Sequence, residues 1–209
     1  MSAGGNERGV SLVDLLVGTA VALVVGTAAV GFVRSQALAM RTEAGQLDLN
    51  DSARGVIELM AREIRMAGYN PRCLNPSPVA AIVTGGPQRL RIQYDLNENG
   101  VLDGGAAASE DVLYDYDSAT QSVRRTVGGQ VSTLATDMPS SGFAFRYFQQ
   151  DGTELVAAGG GALSAAQAAA VWRMSIRLEP AKAADPRTTT TVRSSSWTNV
   201  LLRNRQNIC

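Results

Sequence analysis

The rhythm of apolar and polar positions changes twice along the chain. No charged residue occurs between residues 15 and 33, and residues 10–14 extend that apolar run toward the N-terminus. At about 1.5 Å rise per residue, such a run nearly crosses a bilayer core of roughly 30 Å as a helix. The pattern predicts a transmembrane helix over 10–33 and an amphipathic extension of the same helix over 34–70. In the extension, Ala37, Leu38, Ala39, Met40, Ala44, Leu47 and Leu49 form a mixed face. From Asp51 onward, Val56, Ile57, Met60, Ile64 and Ala67 recur at three- and four-residue steps, the spacing of one buried stripe. Glu58, Arg62, Glu63 and Arg65 fall mostly on the other face. Gly45 and Gly55 weaken the helix by up to about 1 kcal/mol each, so a bend, or a break near residues 45–50, is the alternative. Gly68 suits the position just past a helix, and Pro71 ends it.

After Pro71 the period falls to two. Residues 79–83, 90–94, 112–116, 123–127, 142–148, 171–178 and 190–201 read as strands, with clear alternation in Phe143, Phe145, Tyr147 and in Trp172, Met174, Ile176, Leu178. Turn residues separate them: Gly85-Gly86-Pro87, Gly128-Gly129, Pro139 to Gly142 and Asp151-Gly152. A short Ala-rich helix is expected after a Ser164 cap, and the Ala/Gly-rich stretch 156–162 reads as a mobile loop. The fold class is therefore α+β: a long N-terminal helix, half membrane-spanning and half amphipathic, packed on an antiparallel β-sheet domain over 71–209.

Composition narrows the chemistry. The formal net charge of the 209 residues is zero, which suggests no nucleic-acid footprint. There is no histidine, so the commonest general base, the Ser-His and Cys-His nucleophile pairs and the commonest metal ligand are all missing. Two cysteines make a structural zinc site a poor expectation. Asp115 and Asp117 share one strand face. A hydrolase built on that pair is the weakest reading, against an exposed face or added metal ligands. Arg124-Arg125 and Arg203/Arg205 read as solvated edges, and the chain is expected not to be an enzyme.

One polar stretch stands out. Asp95, Asn97, Asn99 and Asp103 occupy positions 1, 3, 5 and 9 of a calcium-type loop, Gly100 is at position 6, and Val101 offers a backbone carbonyl at 7. Position 12 is Ala106, so the closing carboxylate would have to come from Glu110 or Asp111 on the returning strand. Strands, not helices, flank the loop. The competing reading is an Asn-Gly turn with solvated acids.

The start of the chain carries the most specific signal. A short polar leader, residues 1–9, ends in Gly9 and is followed by Val10-Ser11-Leu12-Val13-Asp14-Leu15-Leu16-Val17. Asp14 is a lone carboxylate where a charge is costly. A secretory signal would need a cationic start, a shorter apolar core and a small-residue cut site after it. An ordinary anchor with Asp14 snorkelling to the headgroups is the alternative. The stretch resembles the prepilin cleavage motif of type IV pilins and type II secretion pseudopilins. In that family a Gly precedes the cut, the next residue becomes an N-methylated terminus, and an acidic residue stands fifth. Counted from Val10, Asp14 is fifth. The family usually has Phe, Leu or Met at the new terminus and Glu at the fifth place, so Val10 and Asp14 depart from it.

The helix end Ala53 to Tyr69 resembles that of PilW-type minor pilins and of the J-type minor pseudopilin, and the turn Asp95 to Gly100, the segment Asp111 to Asp117, the Gly128-Gly129 hairpin and the stretches 143–152 and 171–180 are similar to PilW-type minor pilins. The resemblance implies processing at Gly9/Val10 by a prepilin peptidase and pairing of Asp14 with the free amine of a neighbouring subunit. It also implies assembly with other minor pilins or pseudopilins and the major pilin at an inner-membrane platform. The protein would then initiate or cap a filament, with its head domain in the periplasm. In such an oxidising compartment Cys73 and Cys209 can pair; a free terminal thiol is the alternative. The rival function is a membrane-anchored, periplasmic calcium-binding adhesin or binding module.

Overall fold

The computed structural model describes residues 11–71, 79–105, 110–183 and 191–204. The chain divides into two compact units, residues 1–44 and 45–209. In the first, the described residues belong to helix α1 (Leu12–Met66), and all its apolar side chains from Leu12 to Val33 are exposed. It is the one helix among the described residues long and apolar enough to cross a membrane. Thr19, Thr27 and Ser35 turn their hydroxyls back onto carbonyls of the preceding turn, at 2.8–3.0 Å. Neither Gly45 nor Gly55 interrupts α1, which ends at Met66, short of the residue 70 expected.

The second unit contains the last turns of α1. Leu49, Ala53, Val56, Ile57, Met60, Ala61 and Ile64 are its buried residues, and Ala67 follows them into the core. Each large apolar side chain so buried is worth about 1.5–3 kcal/mol, so the stripe, not intrinsic propensity, holds this part of the helix to the sheets. Gly68, at φ 78°, turns the chain out of the helix; a Cβ there would lie 2.4 Å from the Asn204 carbonyl oxygen.

The first sheet is a five-stranded antiparallel meander, β1 (Thr84–Gly85), β2 (Arg89–Gln93), β3 (Asp111–Asp117), β4 (Ser122–Val127) and β5 (Gln130–Ala135), in spatial order β1-β2-β3-β4-β5. The second contains β6 (Phe143–Phe148), β7 (Glu154–Leu155), β8 (Arg173–Leu178) and β11 (Ser196–Leu201), in order β11-β8-β6-β7. Two short strands, β9 (Ala181–Ala183) and β10 (Thr191–Arg193), pair separately. Inward residues of both large sheets join the helix stripe in one core, among them Leu90, Ile92, Tyr114, Phe143, Phe145, Met174 and Ile176. The β1–β2 turn ties the sheets together: Phe145 N–H donates to the Pro87 carbonyl at 2.7 Å, and the Tyr147 hydroxyl to the Gly86 carbonyl at 2.8 Å.

Several elements differ from the pattern-based expectation. Residues 79–83 do not form a strand. Val79 and Ile82 are the buried side chains there, three apart, so alternation fails, and only Thr84–Gly85 pair with β2. The expected strand 190–201 divides at Ser194, whose N–H donates to Pro180 and whose hydroxyl donates to Asn50 Oδ1 at 2.5 Å. β5, β7 and β9 were not expected; they are short or exposed and lack apolar alternation. The stretch 156–162 contains a 3-10 turn at Ala158–Gly160. Helix α2 (Ala165–Ala170) follows Ser164, whose hydroxyl accepts from Gln167 N–H while Gln167 Oε1 accepts from Ser164 N–H, a reciprocal cap.

Candidate functional site

Two regions carry the residues singled out by the sequence, one in each unit. In the first, Asp14 lies in the opening turn of α1, exposed, one turn from the Ser11 carbonyl that accepts the Leu15 N–H at 3.1 Å. A carboxylate suits that end, where unpaired backbone N–H groups leave partial positive charge. The cleavage residues Gly9 and Val10 lie outside the described residues, as do Cys73 and Cys209.

In the second unit, the turn between β2 and β3 is organised by two buried carboxylates. Asp95 Oδ1 accepts from Asn99 N–H at 3.2 Å and Oδ2 from Gly100 N–H at 2.8 Å. Glu110 Oε1 accepts from Leu96 N–H at 2.7 Å and Asn97 N–H at 3.1 Å, and Oε2 from Asp103 N–H at 3.1 Å. Positive φ at Glu98 and Gly100 lets the backbone curl around Asp95. The Asn97 and Asn99 carboxamides meet on Asp103 Oδ2, at 2.6 and 3.0 Å, while the Val101 N–H donates to Asn99 Oδ1 at 2.7 Å. The polar side chains of Asp95, Asn97, Asn99 and Asp103 thus bond within the loop, and Leu96 and Val101 are exposed.

The two carboxylates considered as closers of the loop part company. Glu110 faces it. Asp111 faces the other side of the sheet, where Arg91 Nε donates to it at 2.8 Å and Gln93 Nε2 at 2.9 Å. Burial pushes the Asp111 carboxyl up, but the bonds from Arg91 and Gln93 outweigh it and hold it below the ordinary carboxylate range. Strand parity carries this signal: Val112 and Tyr114 point into the core, so Asp111, Leu113, Asp115 and Asp117 point away from it.

As a cation site the loop is incomplete. Calcium takes about six to eight oxygens. Here the carboxylates of Asp95 and Glu110 are engaged by backbone N–H groups, and Asn97 and Asn99 present nitrogen to Asp103. Among the described residues no three Asp, Glu or Cys side chains are grouped closely enough to hold a metal ion. The donor types and their spacing fit calcium; the convergence of carboxylates does not.

Asp115 and Asp117 do not form an isolated acidic pair. Both bind Arg124 on the neighbouring strand, Asp117 at 2.9 Å, and Asp115 is Arg124's register partner. Arg125 points the other way, to the helix: its Nε donates to Glu63 Oε2 at 3.0 Å and its Nη2 to Oε1 at 2.5 Å, and the Tyr114 hydroxyl also donates to Oε2. Arg124 and Arg125 are therefore paired rather than a solvated basic edge, and Glu63 is on the packed flank of the helix, between Met60 and Ala67. Burial first, then Glu63, raises the Tyr114 pKa far above its ordinary value.

An exposed, membrane-length helix that opens on a polar leader ending in Gly and carries an acid five residues past it, then continues into an antiparallel-sheet unit, defines a pilin-related class of protein. The chain matches the model of the family PpdB, prepilin peptidase-dependent protein B, over residues 42–196, and it belongs to that family. No curated protein matches it. The matched residues exclude the leader and the apolar run, so the motif and the family match are drawn from separate parts of the chain.

Proposed function

We propose that this protein is a minor pilin or pseudopilin, of the PilW or J type, cut between Gly9 and Val10 by a prepilin peptidase and methylated on Val10. It then joins other minor pilins or pseudopilins and the major pilin at the inner-membrane platform and initiates or caps a type IV pilus-like filament, with the second unit in the periplasm. The observation that carries this reading is the spacing of Gly9, Val10 and Asp14 at the head of a membrane-length helix, in a family described by its dependence on prepilin peptidase. Asp14 pairs with the methylated amine of a neighbouring subunit, removing two charges from lipid. Asp reaches one methylene less far than the Glu usual at this place, which suits a specialised position rather than the repeated filament body. Co-expression with a prepilin peptidase tests the reading. Intact mass should fall by the nine leader residues, and Gly9→Leu should block the change; a full-length chain that persists beside active peptidase sinks it. In the periplasm Cys73 pairs with Cys209, which a mass two hydrogen atoms heavier after reduction by an added thiol would register; an unchanged mass removes the bridge.

A second reading, an anchored calcium-binding adhesin or binding module, is favoured by the loop 95–103, where Asp95, Asn97, Asn99, the Val101 carbonyl and Asp103 carry ligand oxygens at alternate positions. Calcium would exchange the two carboxamide bonds to Asp103 for metal contacts. Thermal melting with and without millimolar calcium decides it: a rise in Tm that Asp95→Asn abolishes supports the site, and an unmoved Tm removes it.

A further inference from the structure

The solvent face of the second sheet is unlike the rest of the second unit. β8 sends Arg173, Ser175 and Arg177 to that face, and the register sets Trp197 of β11 beside Arg177, and Leu201 and Phe148 on either side of Arg173. The Arg173 guanidinium lies 4.0 Å over the Phe148 ring and donates to Asn199 Oδ1 at 2.8 Å, so its plane is held. Among the described residues no carboxylate pairs with it, whereas Arg146 is bound by Glu154 and Arg177 has Glu179 at 4.0 Å. Trp197 is 69% exposed. Trp and Arg, without Lys, are the residue types that dominate the centres of protein–protein interfaces. Because two of the three arginines already have carboxylate neighbours, the face is a weak collector of polyanions, which need several unpaired cations.

The same chain carries the complementary surface. The β2–β3 loop projects Leu96 and Val101, 58% and 56% exposed, with Glu98 between them. Glu98 Oε1 accepts the Tyr69 hydroxyl at 2.9 Å, which orients that carboxylate. An oriented acid flanked by two exposed apolar side chains matches a held arginine that has Leu201 beside it and Trp197 four residues further along β11.

We propose that the segment 95–103 of one copy docks on the β6–β8–β11 face of a second copy, Glu98 to Arg173, with Leu96 and Val101 against Trp197 and Leu201. The two surfaces are on different sheets, so the contact is heterologous and adds copies head to tail instead of closing a symmetric dimer. The inference rests on the second unit alone and is independent of the processing reading.

Sedimentation of the full chain in detergent micelles tests it, with the protein concentration for half-association as the readout. Arg173→Glu and Glu98→Arg should each raise that concentration at least about tenfold, because each places like charges face to face. An equimolar mixture of the two variants should recover the native value, since each loop then meets an opposite charge. Trp197→Ala should weaken association without changing the charge. Glu98 and Arg173 are partly exposed and Trp197 is largely exposed, and unchanged melting of each variant verifies the fold. Association that depends on Arg173 but is not recovered in the mixture overturns the proposal, as does association indifferent to all three substitutions. Binding of a single-stranded oligonucleotide that is lost in Arg173→Glu, with no self-association in the native chain, would reassign the face to nucleic acid.

Discussion

Arg124 and Arg125 are neighbours on one strand and live in different chemistry. Arg124 lies on the sheet face away from the core, where Asp115 and Asp117 share it across a strand pair. Arg125 points inward, where Glu63 from the helix receives it through two bonds and Tyr114 donates to the same carboxylate. The Glu63 and Arg125 side chains are only 12% and 23% exposed, against 20–35% for the outer cluster. The outer cluster joins strands that already share a ladder. The inner one joins helix to sheet, at a place where the helix stripe alone would tolerate rotation or sliding. Breaking a buried pair leaves an uncompensated charge, whereas an exposed pair exchanges its partner for water at little cost. The inner cluster therefore fixes the register of helix on sheet, and the outer one decorates an edge.

The largest test of that difference is Glu63→Ala. It strands the Arg125 charge and the Tyr114 hydroxyl together, and chemical denaturation of the second unit should lose about 3 kcal/mol. Replacing both charges with apolar side chains, Glu63→Leu with Arg125→Met, should recover most of that loss, since no charge is left buried. If the double variant is as unstable as the single one, the register argument fails and the cluster contributes net stability in its own right.

The next test uses pH. The Tyr114 pKa is raised in the folded state, by burial and then by Glu63, so its contribution is complete below the unfolded value of about 10 and is lost as pH rises beyond it. Stability should be flat from neutrality to about pH 9 and fall above pH 10. Tyr114→Phe should cost about 1.5 kcal/mol at neutral pH for the lost bond to a charged acceptor and make the alkaline fall shallower. Tyr94 and Tyr147, also raised by burial, keep part of the slope. An unchanged slope in Tyr114→Phe would separate the inner cluster from the alkaline transition.

Much of this arrangement is legible in the chain, and the illegible parts have physical reasons. The buried stripe of α1 follows from helical spacing, and Val56, Ile57, Met60, Ile64 and Ala67 are all in the core. The α+β class follows from the switch to period two after Pro71. Two further features carry a signal in the chain. Glu63, three residues after Met60 and four before Ala67, is on the flank of the stripe, and the parity of Val112 and Tyr114 turns Glu110 toward the loop and Asp111 away. Other features have no local signature. β5 keeps its outer positions exposed, so its pairing is dictated by β4 rather than by its own pattern. The division of the last strand at Ser194 depends on Asn50 and Pro180, far away in sequence. At the loop 95–103, the spacing of oxygens was legible, but the backbone N–H groups that occupy Asp95 and Glu110 are a product of the fold.

The smallest expected effect belongs to the outer cluster, and its value is as the control. The Asp117 carboxyl is held below its ordinary range, first by the Ala119 N–H, then by the Thr120 side chain, with Arg124 adding less. A carboxyl so lowered contributes stability above its unfolded pKa of about 4 and loses it as pH falls through the folded value. Asp117→Asn should therefore move Tm by about 2 °C or less at pH 7 and slightly flatten the acid limb, leaving the alkaline limb untouched. The backbone bond to Ala119 survives in the amide, which is why the change is small. A loss at pH 7 comparable to that of Glu63→Ala would mean that the exposed pair carries the fold as much as the buried one, and the contrast between Arg124 and Arg125 would collapse.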